Sequence, residues 1–259
     1  GKGERVNPAA RLVVADIRDR EAIAPAFAGA DYVFHLAALP RVQYSIEHPA
    51  ETHEVNVTGT MNVLLAAREA KVKRVVYSAS SSAYGDQTLM PLPEDLPANP
   101  KSPYGLHKYF GELYCRIFYE VYNLPTVSLR YFNVYGPGQD PDGPYALVIG
   151  RFLKQRTAGE SLTITGDGEQ TRDFTHVSDV ARANWLAATS GKVGRGEAIN
   201  IGAGNNISIN QLAKLIGGPI EYVPARLEPK HTLDDITKAK KLLGWEPEII
   251  FEQGLKELL

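Results

Sequence analysis

Arg74-Val75-Val76-Tyr77-Ser78-Ala79-Ser80-Ser81-Ser82 joins a short apolar run to a run of hydroxyls. Two valines and a tyrosine with no polar alternation read as a strand buried on both faces, and the serines as its carboxyl end. The same texture continues outward. Upstream, a helix over 50–70 sets Val55, Val63, Leu64 and Ala67 on one side, preceded by a strand at Tyr32-Val33-Phe34-His35-Leu36-Ala37-Ala38. Downstream, a helix opens at Tyr104 and runs to about residue 122, before a strand at Thr126-Val127-Ser128-Leu129-Arg130-Tyr131. Leu12-Val13-Val14-Ala15 is expected to be a further buried strand closed by Asp16, with a short helix over 18–27 behind it. Strands alternating with helices of this length predict βαβ units: an α/β fold with a parallel sheet covered on both faces.

Past residue 135 the texture changes. Gly136-Pro137-Gly138-Gln139-Asp140-Pro141-Asp142-Gly143-Pro144 is turn-rich and marks a boundary. The expected division is a nucleotide-binding domain over 1–135 and a smaller α/β substrate lobe over 136–259, some of whose elements return to the sheet. In the second part we expect helices over 147–157, 178–189, 209–216, 236–243 and 251–259, and strands at 162–164, 198–201 and 220–223.

Composition narrows the function. Twenty-eight basic against thirty acidic residues leave a net charge of -2, with no basic run to suit a nucleic acid. No stretch approaches the roughly 18 apolar residues of a membrane span. The polar start is neither a secretory signal nor a transit peptide, so cytoplasm is the default expectation. Cys115 is the single cysteine, which excludes an intramolecular disulfide or a cysteine-built zinc site, and the six histidines show no His-Glu-x-x-His spacing. Neither a metal, nucleic acid nor a membrane is expected as partner.

Chemistry concentrates at strand ends, where open parallel sheets bind ligands. Tyr104 and Lys108 are four apart on one helix face, and an ammonium beside a phenol favours the phenolate. Ser78 to Ser82 supply hydroxyls about two dozen residues earlier. Ala37 and Ala38 let a flat cofactor approach the backbone, and Asp16 suits an adenine amino group. Each has an ordinary alternative in packing, turns or caps; together, at successive strand ends, they favour a site.

The chain resembles the extended short-chain dehydrogenases/reductases, specifically the nucleotide-sugar epimerase branch typified by UDP-glucose 4-epimerase. The likeness rests on Asp16-Ile17-Arg18-Asp19, His35-Leu36-Ala37-Ala38, Asn56-Val57-Thr58-Gly59-Thr60-Met61-Asn62-Val63-Leu64 and Ser80-Ser81-Ser82-Ala83-Tyr84-Gly85. It continues through Tyr104-x-x-x-Lys108, Arg130-Tyr131-Phe132-Asn133-Val134-Tyr135-Gly136-Pro137 and Arg172-Asp173-Phe174-Thr175-His176-Val177. It implies a Rossmann-type doubly wound sheet, bound NAD and a UDP-sugar substrate. Tyr104 would be the base on the sugar 4-hydroxyl, Lys108 would tune it and hold the nicotinamide ribose, and Ser80 would bridge Tyr104 to the substrate. Asp16, Ile17, Leu36, Ala37, Ala38, Asn56, Ser78 and Tyr131 would contact NAD. Ser81, Asn133, Leu147 and Val148 would contact the sugar nucleotide. Arg172 and Arg226 would grip the diphosphate, a task suited to a guanidinium fork. Thr163 and Thr165 would lie beside the uracil, and Glu228 near the ribose.

Among such enzymes, Ser81-Ser82 stands where the 4,6-dehydratases place an Asp-Glu pair, and no cysteine stands where GDP-fucose synthases use one. A simple 4-epimerase fits. Thr232 aligns with the residue facing sugar C2, and its small size implies that N-acetylated sugars enter beside UDP-glucose and UDP-galactose. A UDP-glucuronate 4-epimerase or decarboxylase, and a non-catalytic homologue that kept the fold, are the alternatives. The glycine-rich dinucleotide fingerprint does not occur; in relatives it lies in a unit of about thirty residues ahead of this start. We therefore expect a segment of a longer protein. The 216–219 and 226–228 stretches are also shorter than is usual. Tyr109, Phe110, Leu113, Ile117 and Phe118 offer apolar surface for a homodimer through a four-helix interface.

Overall fold

The computed structural model describes residues 6–139, 147–225 and 230–259. Asp19 caps a short helix, α1 (Arg20–Ile23), by accepting the Ala22 N–H. Pro25 lies in the 3-10 turn that follows over Ala24–Phe27, where its missing N–H does no harm. After β1 (Tyr32–His35), helices α2 (Val42–Glu47) and α3 (Pro49–His53) meet at His48, whose backbone the following proline keeps out of the helical region. A π turn at Glu54–Thr58 carries α3 into α4 (Gly59–Glu69), so the helix expected over 50–70 contains one widened turn. Then come β2 (Arg74–Ser80), α5 (Pro103–Tyr122), β3 (Thr126–Tyr131) and β4 (Val134–Tyr135). α6 (Val148–Thr157), β5 (Leu162–Thr165), β6 (Thr171–Arg172), β7 (Thr175–His176) and α7 (Val177–Thr189) lead to β8 (Arg195–Ile201). β9 (Ile207–Ser208), α8 (Ile209–Ile216), β10 (Ile220–Val223), α9 (Thr237–Leu243) and α10 (Phe251–Lys256) follow.

The main sheet runs β1-β2-β3-β8, all parallel. β2 shows why its sequence is apolar without alternation. Val75, Tyr77 and Ala79 pack with Leu64 and Ala67 of α4 and with Cys115 and Phe118 of α5. Val76 turns to the other face, where Ala183 and Ala187 of α7 and Leu243 of α9 meet it. Successive side chains of a strand point to opposite faces, so a sheet sandwiched by helices needs apolar residues at every position. Each fully buried valine contributes about 1.5–3 kcal/mol.

β8, α7 and α9 come from beyond residue 135 yet complete this layer structure. The remaining elements form a second core: the parallel pair β5–β10 with α6, α8 and α10, around Phe152, Leu162, Ile164, Leu212 and Phe251. A capping box between Ser208 and Gln211 starts α8. The last helix ends at Lys256, three residues short of the expected end.

One expected strand is absent. Residues 11–16 adopt no regular structure, and Leu12, Val13 and Val14 are 61%, 43% and 90% exposed. A strand exists through its ladder. β1 is an edge strand that pairs with β2 alone among the described residues, and the run forms no ladder along its free edge. Asp16 closes no strand; its carboxylate instead accepts the Arg18 backbone N–H at 2.9 Å and pairs with the Arg18 guanidinium at 2.6 Å.

Candidate active site

The start of α5 is fixed against the end of β2. Ser102 caps the helix by accepting the Gly105 N–H at 3.1 Å, and Pro103 occupies its first turn. Gly105 lies so close to the turn after β2 that a Cβ there would come within 2.7 Å of the Ser82 carbonyl. That contact brings Tyr104, half-buried in the first turn, alongside Ser80 to Ser82. The Tyr104 backbone N–H also donates to Ser45 Oγ of α2 at 3.0 Å. Ser80 accepts the Ser82 N–H and donates to Ser82 Oγ, both at 3.1 Å, while Ser81 opens the 3-10 turn over Ser81–Ala83.

Lys108 follows Tyr104 by one turn. Its Nζ donates to the Ser78 carbonyl at 2.7 Å, and only 5% of the residue is exposed. Burial pulls the ammonium pKa down to about 8, against a smaller opposing effect of the Glu112 charge. Glu112, one further turn along the same face, is forked with Arg130 of β3 at 2.9 and 2.7 Å. The Tyr104–Lys108–Glu112 face is thereby locked against the sheet.

The end of β1 is held by a chain of hydrogen bonds. Asn56, in the π turn, accepts the Leu39 N–H at 2.7 Å and donates to the Leu39 carbonyl at 3.0 Å. Thr60 Oγ1 donates to the Asn56 carbonyl at 2.7 Å, so His35 Nε2, 2.9 Å from that hydroxyl, carries the N–H donated to it. Burial, assisted by the Lys108 charge, pushes His35 down to about 3, and the ring is neutral. Between these anchors Leu36 and Ala37 are exposed and Ala38 half-buried, a small-residue ledge on a pinned backbone. Asn62 does the same for the preceding segment, donating to the Ile17 and Arg18 carbonyls at 3.0 Å each. Its polar amide inside an otherwise apolar stretch of α4 is the signal that sequence reasoning passed over.

On the opposite face, the Tyr131 hydroxyl donates to Asn184 Oδ1 at 2.9 Å and lies 3.1 Å from Ser78 Oγ. Burial raises its pKa, so it is a neutral anchor between β3 and α7. Two residues on, Asn133 donates to the Asp173 carbonyl at 3.2 Å and accepts the Thr175 N–H at 3.1 Å. This links the end of β3 to a second group of expected residues. Arg172 is half-buried, and its NH1 donates to the Thr171 carbonyl at 2.8 Å. Thr232 lies alongside, its N–H 3.3 Å from the same carbonyl.

Leu147 caps α6 and Val148 begins it. Thr163 in β5 is tied to that helix: Gln155 donates to its hydroxyl, and Arg151 to its carbonyl at 2.9 Å. The Thr165 carbonyl accepts from Gln170 at 2.8 Å. These four residues belong to the second lobe, and no described hydrogen bond joins them to α5. Arg226 and Glu228 lie outside the described residues.

Among the described hydrogen bonds, Lys108 uses one of its three N–H donors. A buried ammonium with donors to spare, beside a tyrosine and an alanine ledge, fits the sugar hydroxyls and flat ring at the nicotinamide end of a dinucleotide. A model of the NAD dependent epimerase/dehydratase family matches residues 2–202. The chain belongs to that family. The crystal structure of UDP-glucose 4-epimerase from Thermotoga maritima, with UDP-glucose, superposes with a TM-score of 0.94 at 39% identity, covering 100% of this chain and 86% of that one. The UDP-glucose 4-epimerase of Mycolicibacterium smegmatis is 37% identical, over 87% of this chain and 74% of its own length. The UDP-glucuronate 4-epimerase of Thermodesulfobacterium geofontis is 42% identical over 86% and 70%. The fold is accordingly the Rossmann-type sheet of the extended short-chain dehydrogenases/reductases, and the cofactor of the family is NAD.

Proposed function

We propose that this chain interconverts the C4 epimers of a UDP-hexose, with UDP-glucose and UDP-galactose as substrates and their N-acetylated counterparts also accepted. The observation that carries the reading is the convergence of Tyr104, Lys108 and Ser80 where α5 abuts the end of β2. The similarity to two UDP-glucose 4-epimerases supports it. The Tyr104 phenolate takes the proton of the sugar 4-hydroxyl, Lys108 favours that phenolate by its charge, and Ser80 orients the hydroxyl. NAD, when bound, would supply the hydride acceptor and donor at C4. Tyr104 would hold the proton taken from the 4-hydroxyl while the oxidised sugar turns its other face, and would then return it to the 4-oxygen. Arg172 and Arg226 hold the diphosphate while the sugar turns, with Asn133, Ser81, Leu147 and Val148 along the sugar nucleotide, Thr163 and Thr165 at the uracil and Glu228 at the ribose. Asp16, Ile17, Leu36, Ala37, Ala38, Asn56, Ser78 and Tyr131 line or support the NAD side. The main-sheet layers serve the cofactor and the β5–β10 lobe the substrate.

Turnover of UDP-galactose in heavy water tests the route. The product carries no deuterium at C4, because the hydrogen there never becomes a proton. Deuterium at C4 would contradict the reading. The similarity to a UDP-glucuronate 4-epimerase makes UDP-glucuronate the competing substrate for the same assay.

We further infer a cytoplasmic homodimer. Leu106, Ile117 and Val121 of α5 are 38%, 41% and 60% exposed, an apolar face that a second copy would cover, whereas Phe118 packs into the core. A single-chain mass by light scattering would contradict the dimer.

A further inference from the structure

Two buried carboxyl groups meet behind the Arg172 turn. Asp173 is 0% and Asp234 4% exposed, and the two carboxyl groups meet over one backbone N–H, that of Gly204. Asp173 Oδ1 accepts the Ala203 N–H at 2.8 Å, and its Oδ2 accepts the Gly204 N–H at 3.0 Å and the Asp234 N–H at 3.4 Å. Asp234 Oδ1 accepts the Gly204 N–H at 3.1 Å. No described N–H or hydroxyl reaches Asp234 Oδ2, which is buried. Gly202 leaves the room: a Cβ there would lie 2.4 Å from the Asp234 carboxyl carbon.

Two buried carboxyl groups that converge on one N–H do not both stay charged, since neither has a cation to offset the repulsion among the described contacts. Three N–H donors favour the negative charge on Asp173, which leaves the proton to Asp234. Burial, then the neighbouring Asp173, raises Asp234 well above the ordinary aspartate value. Charged or titratable groups on the surrounding segments are Arg172 on β6, Lys230 and His231 before Asp234, and Asp235, Lys238 and Glu94 around it.

We infer that Asp173 and Asp234 are positioning residues that share one proton, clasping the 230–235 segment to the turn that presents Arg172. The clasp sits between the two expected substrate contacts. Asp173 follows Arg172 directly, Asp234 stands two residues after Thr232, and the Thr171 N–H donates to the Lys230 carbonyl at 2.9 Å. Closing the pair therefore sets the spacing between the diphosphate arginine and the wall facing sugar C2. This role rests on the epimerase reading; the proton itself does not.

The test compares wild type with Asp234→Asn and Asp173→Asn. An asparagine at 234 supplies a permanent N–H in place of the shared proton, whereas one at 173 loses an anion that three N–H groups require. In urea unfolding from about pH 5 to about pH 9, the pair holds one proton in the folded state and none in the unfolded chain, whereas the buried His35 and Lys108 act in the opposite sense in wild type and variant alike. The wild-type folding equilibrium constant therefore falls more steeply than that of Asp234→Asn, by about tenfold per pH unit, while the pair keeps its proton. With UDP-sugar, Asp234→Asn keeps KM within about threefold, while Asp173→Asn raises KM by about tenfold or more with a smaller change in kcat. Equal slopes in wild type and Asp234→Asn, or an Asp234→Asn protein that fails to fold, would overturn the shared proton. A proton-linked slope accompanied by a loss in kcat with KM unchanged would overturn the positioning role alone. Absence of turnover in wild type with the slope intact would fault the epimerase reading instead.

Discussion

Lys108 Nζ donates to the Ser78 carbonyl at 2.7 Å, so the ammonium one turn past Tyr104 is moored to the strand end from which Ser80 also projects. The mooring fixes where the charge sits, and burial fixes when it is present.

Because burial lowers Lys108 to about 8, the amine is charged below that pH and neutral above it. The reading predicts that kcat/KM, which reports the free enzyme, falls as pH rises through about 8 and the phenolate loses its cation. Stability moves the other way. The folded state gives up this proton before the unfolded chain does, so the cost of burying the charge is full below about 8 and is relieved between there and the ordinary 10.5. Lys108→Met should lower kcat/KM by at least about tenfold and abolish the alkaline limb. A limb that persists in the variant would assign it to another group.

Asn56 makes both hydrogen bonds to Leu39, and its loss leaves a backbone N–H and carbonyl unserved. Asn56→Ala should cost about 1–3 kcal/mol in urea unfolding and weaken NAD several-fold in a calorimetric titration. Unchanged NAD affinity would show that the alanine ledge does not depend on this anchor.

Much of this architecture is legible in the chain itself. β2 and β3 read as strands because both faces of the sheet are covered there, and Tyr104, Lys108 and Ser80 stand out because the proposed site lies at the end of β2 and the start of α5. The run at Leu12 to Ala15 reads the same way and is not a strand, since an apolar local pattern does not say whether a ladder forms. Asp173 and Asp234 are 61 residues apart, and nothing in either neighbourhood says that the two carboxyls meet. The π turn at Asn56 is equally silent, because it changes one hydrogen-bond spacing without interrupting the helical pattern.

Glu112 and Arg130 are 6% and 5% exposed and fully forked. Removing one partner strands a buried charge, so Glu112→Ala should lose about 3–5 kcal/mol, while Glu112→Leu/Arg130→Met should recover most of it. Chemical denaturation of the three proteins checks this. A double variant as weak as the single one would mean that the pair itself, not the orphaned charge, sustains the fold.

Thr232 is half-buried against the Thr171 carbonyl. A bulky side chain there should exclude a C2 N-acetyl group. Thr232→Tyr is expected to lower turnover of UDP-N-acetylgalactosamine relative to UDP-galactose by about tenfold or more. An unchanged ratio would move the C2 wall elsewhere.

The measurement that bears most directly on the account is kcat for Tyr104→Phe with UDP-galactose, set beside the affinity of the same protein for UDP-galactose. Removing one oxygen should lower kcat by about 10²–10⁴-fold and leave binding within a few-fold. A variant that turns over at the wild-type rate would contradict the assignment of Tyr104 as the base.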